Sequence, residues 1–117
     1  MAVSIFNWFA PHDVVRDQGE AGSIHGMIAR MMGDHKIDPQ RVYVTGLSAG
    51  GSMAAAMLAI YPEVFAAGAT IAGVPFGVAT SPRKAIRGML KGTQYSAHEP
   101  GDLVRRASDN EGPWPKL

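Results

Sequence analysis

Arg41-Val42-Tyr43-Val44-Thr45-Gly46-Leu47-Ser48-Ala49-Gly50-Gly51-Ser52-Met53-Ala54-Ala55-Ala56-Met57-Leu58-Ala59-Ile60-Tyr61 reads as a buried strand, a sharp turn and a buried helix. Val42 to Thr45 are strand formers by type. Ala54 to Ala59 favour helix, and the segment is apolar nearly all round, as a helix covered on most sides would be. Gly46-Leu47-Ser48-Ala49-Gly50 between them has the form G-x-S-x-G. A serine held at a tight strand-to-helix turn projects its hydroxyl beyond the sheet. Small residues two places either side let the neighbouring chain approach. The N–H of Ala49, at the start of the helix, is placed to stabilise an oxyanion. The pentapeptide alone is a weak signal, arising by chance in about one such chain in ten, so the apolar run before it and the small-residue helix after it carry the reading. The competing reading is a Gly/Ser turn that only packs a helix on a strand.

The chain has 117 residues, enough for one domain or part of one. A net charge of +1 gives no electrostatic case for nucleic acid or an anionic membrane. Only 18% of residues are charged, which suits a helix-covered sheet better than a disordered chain. Without cysteine there is neither a disulfide nor a thiolate metal site, and no His/Asp/Glu grouping predicts a metal or cofactor. No apolar run is long enough to span a bilayer, and no signal peptide is evident at the start.

Phe6, Trp8 and Phe9 cluster before Pro11, as either a core patch or the wall of a substrate pocket. His12 and Asp13 are adjacent and are not read as a catalytic pair. Residues 19–36 form an amphipathic helix, with Ile24, Met27, Ile28, Met31 and Met32 on one apolar face. Glu20 suits the start of its dipole, and His35 and Lys36 suit its end. Asp38-Pro39-Gln40-Arg41 is a turn. Pro62 ends the helix after the elbow, and residues 65–72 form a short buried strand. Strand, helix and strand in that order predict a parallel pair within a sheet covered on both faces. Gly73-Val74-Pro75-Phe76-Gly77 leaves the second strand at the Ser48 end, so Phe76 is a second candidate for the pocket wall. Residues 82–91 form a basic helix and residues 101–107 a shorter one. A further strand is expected to begin at Lys116-Leu117.

Asn7-Trp8-Phe9, Arg16-Asp17-Gln18-Gly19-Glu20, Ile37 to Val44, Gly46 to Gly51, Tyr61-Pro62-Glu63-Val64-Phe65-Ala66 and Gly112-Pro113-Trp114-Pro115 together resemble the polyhydroxybutyrate depolymerase family of esterases. The resemblance implies a partial α/β-hydrolase fold over residues 1–117. It implies a serine esterase working through an acyl-enzyme on polyhydroxyalkanoates or related short-chain esters, with relatives among feruloyl and acetylxylan esterases. Many members are secreted, which implies an extracellular or periplasmic setting. Ser48 matches the family nucleophile and Ala49 the oxyanion-hole residue after it. The second oxyanion donor, an early strand, and the Asp and His partners of the serine are expected outside this stretch. Of the local histidines only His98 follows the elbow, and it is not expected to serve as the base. Ile5 and Phe6 stand where family members often carry a cysteine. The alternative from a different class is a non-catalytic module derived from this fold, forming homo-oligomers through its sheet edges.

Overall fold

The computed structural model describes residues 6–91, 96 and 98–117. Ile5 lies outside them. A 3-10 turn at Pro11–Val14 leads into α1 (Gly19–Asp34). A second at Pro39–Arg41 leads into β1 (Tyr43–Leu47). Then come α2 (Ala49–Ile60), β2 (Ala67–Ile71), α3 (Pro82–Lys91) and α4 (His98–Arg106).

The strands pair in parallel, Tyr43 opposite Ala67 through Leu47 opposite Ile71. β1 runs two residues further than Thr45, so Gly46 and Leu47 belong to the ladder, and β2 is shorter than residues 65–72. The expected third strand is visible as a single parallel bridge. The Lys116 carbonyl accepts from the Gly68 N–H at 2.8 Å, and the Lys116 N–H donates to Ala66.

The core is built on α2. Nine of its twelve residues are buried, so this helix is the centre of the molecule and not a surface layer. Met53, Met57, Ile60 and Tyr61 meet Trp8, Ala21, Phe65, Val74 and Val78 around it. Val44, Gly46 and Gly68 face α2, and a side chain at Gly68 would press on Leu58. The opposite face is bare, with Tyr43 63%, Leu47 67% and Ile71 55% exposed. The expectation of buried strands β1 and β2 in a sheet covered on both faces is therefore corrected: helical cover lies on one face only among the described residues, and Ala69, Thr70 and Ile71 of β2 are exposed.

α1 ends at Asp34, two residues short of Lys36, where the His35 N–H bonds back to the Met31 carbonyl. Its apolar face is split. Ile24 and Ile28 pack on the core, whereas Met27 and Met31 are exposed and border a groove with Ile37, Val42 and Tyr43 beside the free edge of β1. The start of α1 is capped from outside the helix, because the buried Asp13 carboxylate accepts from the Glu20 N–H at 3.0 Å. His12 also touches Asp13, at 3.2 Å. The two adjacent residues do meet, and the Asp13 carboxylate is at the same time a helix cap.

The far end of α2 is held by a knot from residues 16–25. Arg16 donates to the Ile60 carbonyl at 2.8 Å and pairs with Glu63. The buried Tyr61 hydroxyl accepts from the Asp17 N–H at 2.7 Å, His25 stacks on its ring at 4.2 Å, and Arg16 lies 4.7 Å from the ring centre. Asp17 takes φ 60° to reach this position. Burial raises the Tyr61 phenol above its ordinary value. At Glu63 burial pushes upward, but the Arg16 hydrogen bond and charge, a backbone hydrogen bond and the nearby His25 together hold the carboxyl below its ordinary value.

A carboxylate with a depressed native value contributes stability above its unfolded value and loses it as pH falls through the native one. The thermal midpoint of the protein should accordingly fall below pH 4.5 more steeply than that of Glu63→Gln. Both partners are about half exposed, so the difference should be small and shrink with added salt. Parallel pH profiles for the two proteins would show that the pair is not linked to folding.

Candidate active site

The turn between β1 and α2 carries the one serine among the described residues whose backbone is strained. Ser48 has φ 56° and ψ −119°, a region that non-glycine residues avoid at a cost of about 1–3 kcal/mol. It occupies the N-cap position of α2. An ordinary N-cap serine sits in the extended region and spends its hydroxyl on an N–H of the first helical turn. Ser48 does neither: no side-chain cap bond forms, and no side chain among the described residues hydrogen-bonds its Oγ. The reading of this stretch as a mere packing turn does not account for a serine held in strain with its hydroxyl unspent.

Three contacts hold the strain. The Ser48 N–H donates to the carbonyl of Ile71, the last residue of β2, at 2.8 Å. The Ser48 carbonyl accepts from the Ser52 N–H at 3.0 Å, beginning the helix. Ser52 Oγ, in a side chain 3% exposed, lies 3.4 Å from the same carbonyl and accepts from the Val74 N–H at 2.7 Å. Ser52 thereby ties the elbow to the segment that leaves β2. Sequence reasoning passed over Ser52, although a lone hydroxyl among the apolar residues of α2 was a readable signal.

Glycines make the close approach possible, at Gly46 as expected but not at Gly50. A Cβ at Gly46 would lie 2.1 Å from the Gly50 carbonyl oxygen, and one at Gly51 2.9 Å from the Ile71 carbonyl oxygen. At Gly73 it would lie 2.7 Å from the Gly51 carbonyl carbon. At Gly50 it would meet only the Phe6 ring, at 3.9 Å. The crowded set is Gly46, Gly51 and Gly73, with Gly50 standing in the open.

Ala49 is the first residue of α2, and the first N–H groups of a helix have no carbonyl one turn behind them. Phe76 is half-buried on a mostly apolar cavity of about 560 Å³, bordered by Leu58 and Ala59 of α2, Thr70 of β2, Val104 of α4 and Trp114. Ser48 does not border that cavity. Trp8 is 6% exposed and sits in the core, edge-on to Phe9 at 5.8 Å. His98 is exposed at the start of α4. Among the described residues no cluster of three metal-ligating side chains occurs, and no helix is long and apolar enough to cross a membrane.

Comparison with known proteins bears on the family and the fold. The profile of a family described as esterase PHB depolymerase matches residues 2–113. The chain is 50% identical over 113 residues to poly(3-hydroxyalkanoate) depolymerase C of Paucimonas lemoignei, covering 96% of this chain and 27% of that protein. It is 38% identical over 94 residues to feruloyl esterase B of Thermothelomyces thermophilus, covering 76% of this chain and 32% of that protein. It thus spans between a quarter and a third of the length of these relatives. Among solved structures, the acetyl xylan esterase from Aspergillus awamori superposes with a TM-score of 0.86 over 99% of this chain and 44% of that one, at 20% identity. A likeness at that identity bears on fold, and the fold is that of part of an α/β-hydrolase.

Two expectations follow from the geometry of the turn. Gly46→Ala should lower stability by more than about 3 kcal/mol, while Gly50→Ala should be neutral or stabilising by up to about 1 kcal/mol, as alanine is in a helix. Denaturant titration of both variants checks the contrast, and equal losses would contradict the placement of the close approach. Ser52→Ala strands the buried Val74 N–H and should cost about 1–3 kcal/mol in the same titration.

Proposed function

The chain belongs to the esterase PHB depolymerase family, and from that premise we propose that it carries the nucleophile of a serine ester hydrolase. The observation that supports this most directly is the strained Ser48 with its hydroxyl uncommitted at the head of α2. In this reading Ser48 Oγ attacks the ester carbonyl carbon, giving up its proton to a base. The carbonyl oxygen becomes an oxyanion, which the Ala49 N–H and the positive end of α2 stabilise. Collapse breaks the acyl C–O bond and expels the alcohol, and water then releases the acid from the acyl-enzyme.

The substrate class proposed is a polyhydroxyalkanoate or a related short-chain ester, after the family and the depolymerase relative. Phe76 is proposed as part of the wall that receives the substrate. The buried position of Trp8 favours a role beneath that wall over contact with substrate. The base, the carboxylate that orients it and a second oxyanion donor are proposed to come from outside the described residues, since no histidine among these bonds Ser48 Oγ. A bare sheet face and a free β1 edge favour a second reading, in which the chain self-associates. The two readings are compatible.

The test uses a chimera that places residues 2–113 in the matching quarter of the Paucimonas lemoignei depolymerase. Turnover of p-nitrophenyl butyrate by the chimera should vanish in Ser48→Ala, and a variant keeping more than about a hundredth of the rate would exclude Ser48 as nucleophile. The 117-residue chain by itself should react with a fluorophosphonate at or near background, because a serine without its base is a poor nucleophile. Rapid labelling that His98→Ala removes would instead make His98 the base.

A further inference from the structure

The basic helix α3 has more apolar surface than the core uses. Ala85 is turned inward and 4% exposed, and Val78 and Ala79 just before the helix are also buried. Ile86 and Leu90, one turn apart, are 59% and 79% exposed. A single exposed leucine means little. Here the helical repeat sets a cationic row directly beside the pair. Arg83 is three residues before Ile86 and seven before Leu90, Arg87 is three before Leu90, and Lys91 continues the row. Arg83, Arg87 and Lys91 are exposed, and none of them pairs with a carboxylate among the described residues. α3 has four basic and no acidic residues, while seven basic and ten acidic residues lie elsewhere in the chain. Its charge is local and stands against a net-negative remainder.

We propose that this side of α3 is an adsorption surface for a water-insoluble polyester, with Ile86 and Leu90 lying on the polymer and Arg83, Arg87 and Lys91 meeting carboxylates at its cut chain ends. The proposal rests on the ester-hydrolase reading above. Hydrolysis puts the oxygen of water on the acyl carbon and breaks the acyl C–O bond, leaving an alcohol on one side and a carboxylic acid on the other. At neutral pH that acid is ionised. A polyester surface under digestion is therefore apolar with a growing density of negative charge, the complement of an Ile/Leu stripe edged by guanidinium groups. An anionic lipid bilayer shares part of that chemistry. The 50% identity to a poly(3-hydroxyalkanoate) depolymerase favours the polymer. Position agrees as well, since the segment leading into α3 departs from the sheet end where Ile71 holds Ser48.

Adsorption is measured on the Ser48→Ala protein, so that no turnover alters the surface, by depletion from suspensions of poly(3-hydroxybutyrate) particles. Ile86→Glu/Leu90→Glu should weaken binding at least about tenfold, and Tyr43→Glu/Leu47→Glu, on the bare sheet face, should weaken it far less. Arg83→Gln/Arg87→Gln/Lys91→Gln should lose more affinity for partly hydrolysed particles than for fresh ones. The chain has no cysteine, so an environment-sensitive dye on Leu90→Cys reports contact directly, and its emission should shift to the blue on particles. Unchanged binding in the α3 variant, equal loss from both patches, or a silent dye on adsorbed protein would each overturn the proposal. So would tighter α3-dependent binding to phosphatidylglycerol vesicles than to the polymer. A chimera with α3 unaltered that turns over soluble ester but does not adsorb to the particles would overturn this proposal alone. Adsorption through α3 by a chimera that hydrolyses no ester would overturn the catalytic reading instead.

Discussion

The hydrogen bond from the Ser48 N–H to the Ile71 carbonyl is the contact on which the elbow depends. It pulls the strand-to-helix turn against the end of the neighbouring strand, so the start of α2 must pass through space that side chains would otherwise fill. Gly46, Gly51 and Gly73 are where that demand falls, each with backbone within 3 Å of where a Cβ would stand. Ser52 adds a polar tie across the same gap and satisfies a buried N–H that no strand pairs. The strain in Ser48 is thus over-determined by its surroundings, the condition under which a residue stays in a sparsely populated conformation.

What could be read from the sequence follows from which interactions are local. The elbow, α2 and the Asp38 turn are specified by residues within a few positions of one another, and they occur where expected, down to Asp38 accepting from the Gln40 N–H at 2.9 Å. The strand expected to begin at Lys116 meets the sheet as a single parallel bridge to Ala67. Burial was less legible, because it depends on what lies opposite. Tyr43 and Leu47 have the residue types of a buried strand, and Met27 and Met31 those of a buried helix face, yet all four are exposed. The glycine reading failed at Gly50 for a related reason. A symmetric pentapeptide invites a symmetric account, but the two sides of the turn face different neighbours.

The paired motifs Arg16-Asp17 and Tyr61-Pro62-Glu63 acquire a meaning that separation in sequence concealed. They form one knot across more than forty residues, with Arg16 on the last carbonyl of α2 and Tyr61 on the Asp17 backbone. α2 is consequently fixed at both ends, by the knot at its C-terminus and by Ile71 and Ser52 at its head. A helix pinned at only one end could tilt, and a tilt at the C-terminus would be felt as a displacement of the Ala49 N–H. The knot lies at the opposite end of the helix from Ser48.

β1 stands in a different position from α2. It delivers Ser48, yet one of its edges is unpaired and one of its faces uncovered among the described residues. Backbone hydrogen bonds on the β2 side fix the register of Gly46 and Leu47. Nothing comparable restrains the other side, where Met27, Met31 and Tyr43 border an apolar groove. Pairing at that edge would bury this surface and stiffen the strand that leads to Ser48 in the same step. The elbow is therefore set locally by α2 and β2, while the rigidity of the strand feeding it depends on whatever occupies the open edge. Any pairing at β1 would therefore reach the Ser48 turn through one five-residue strand.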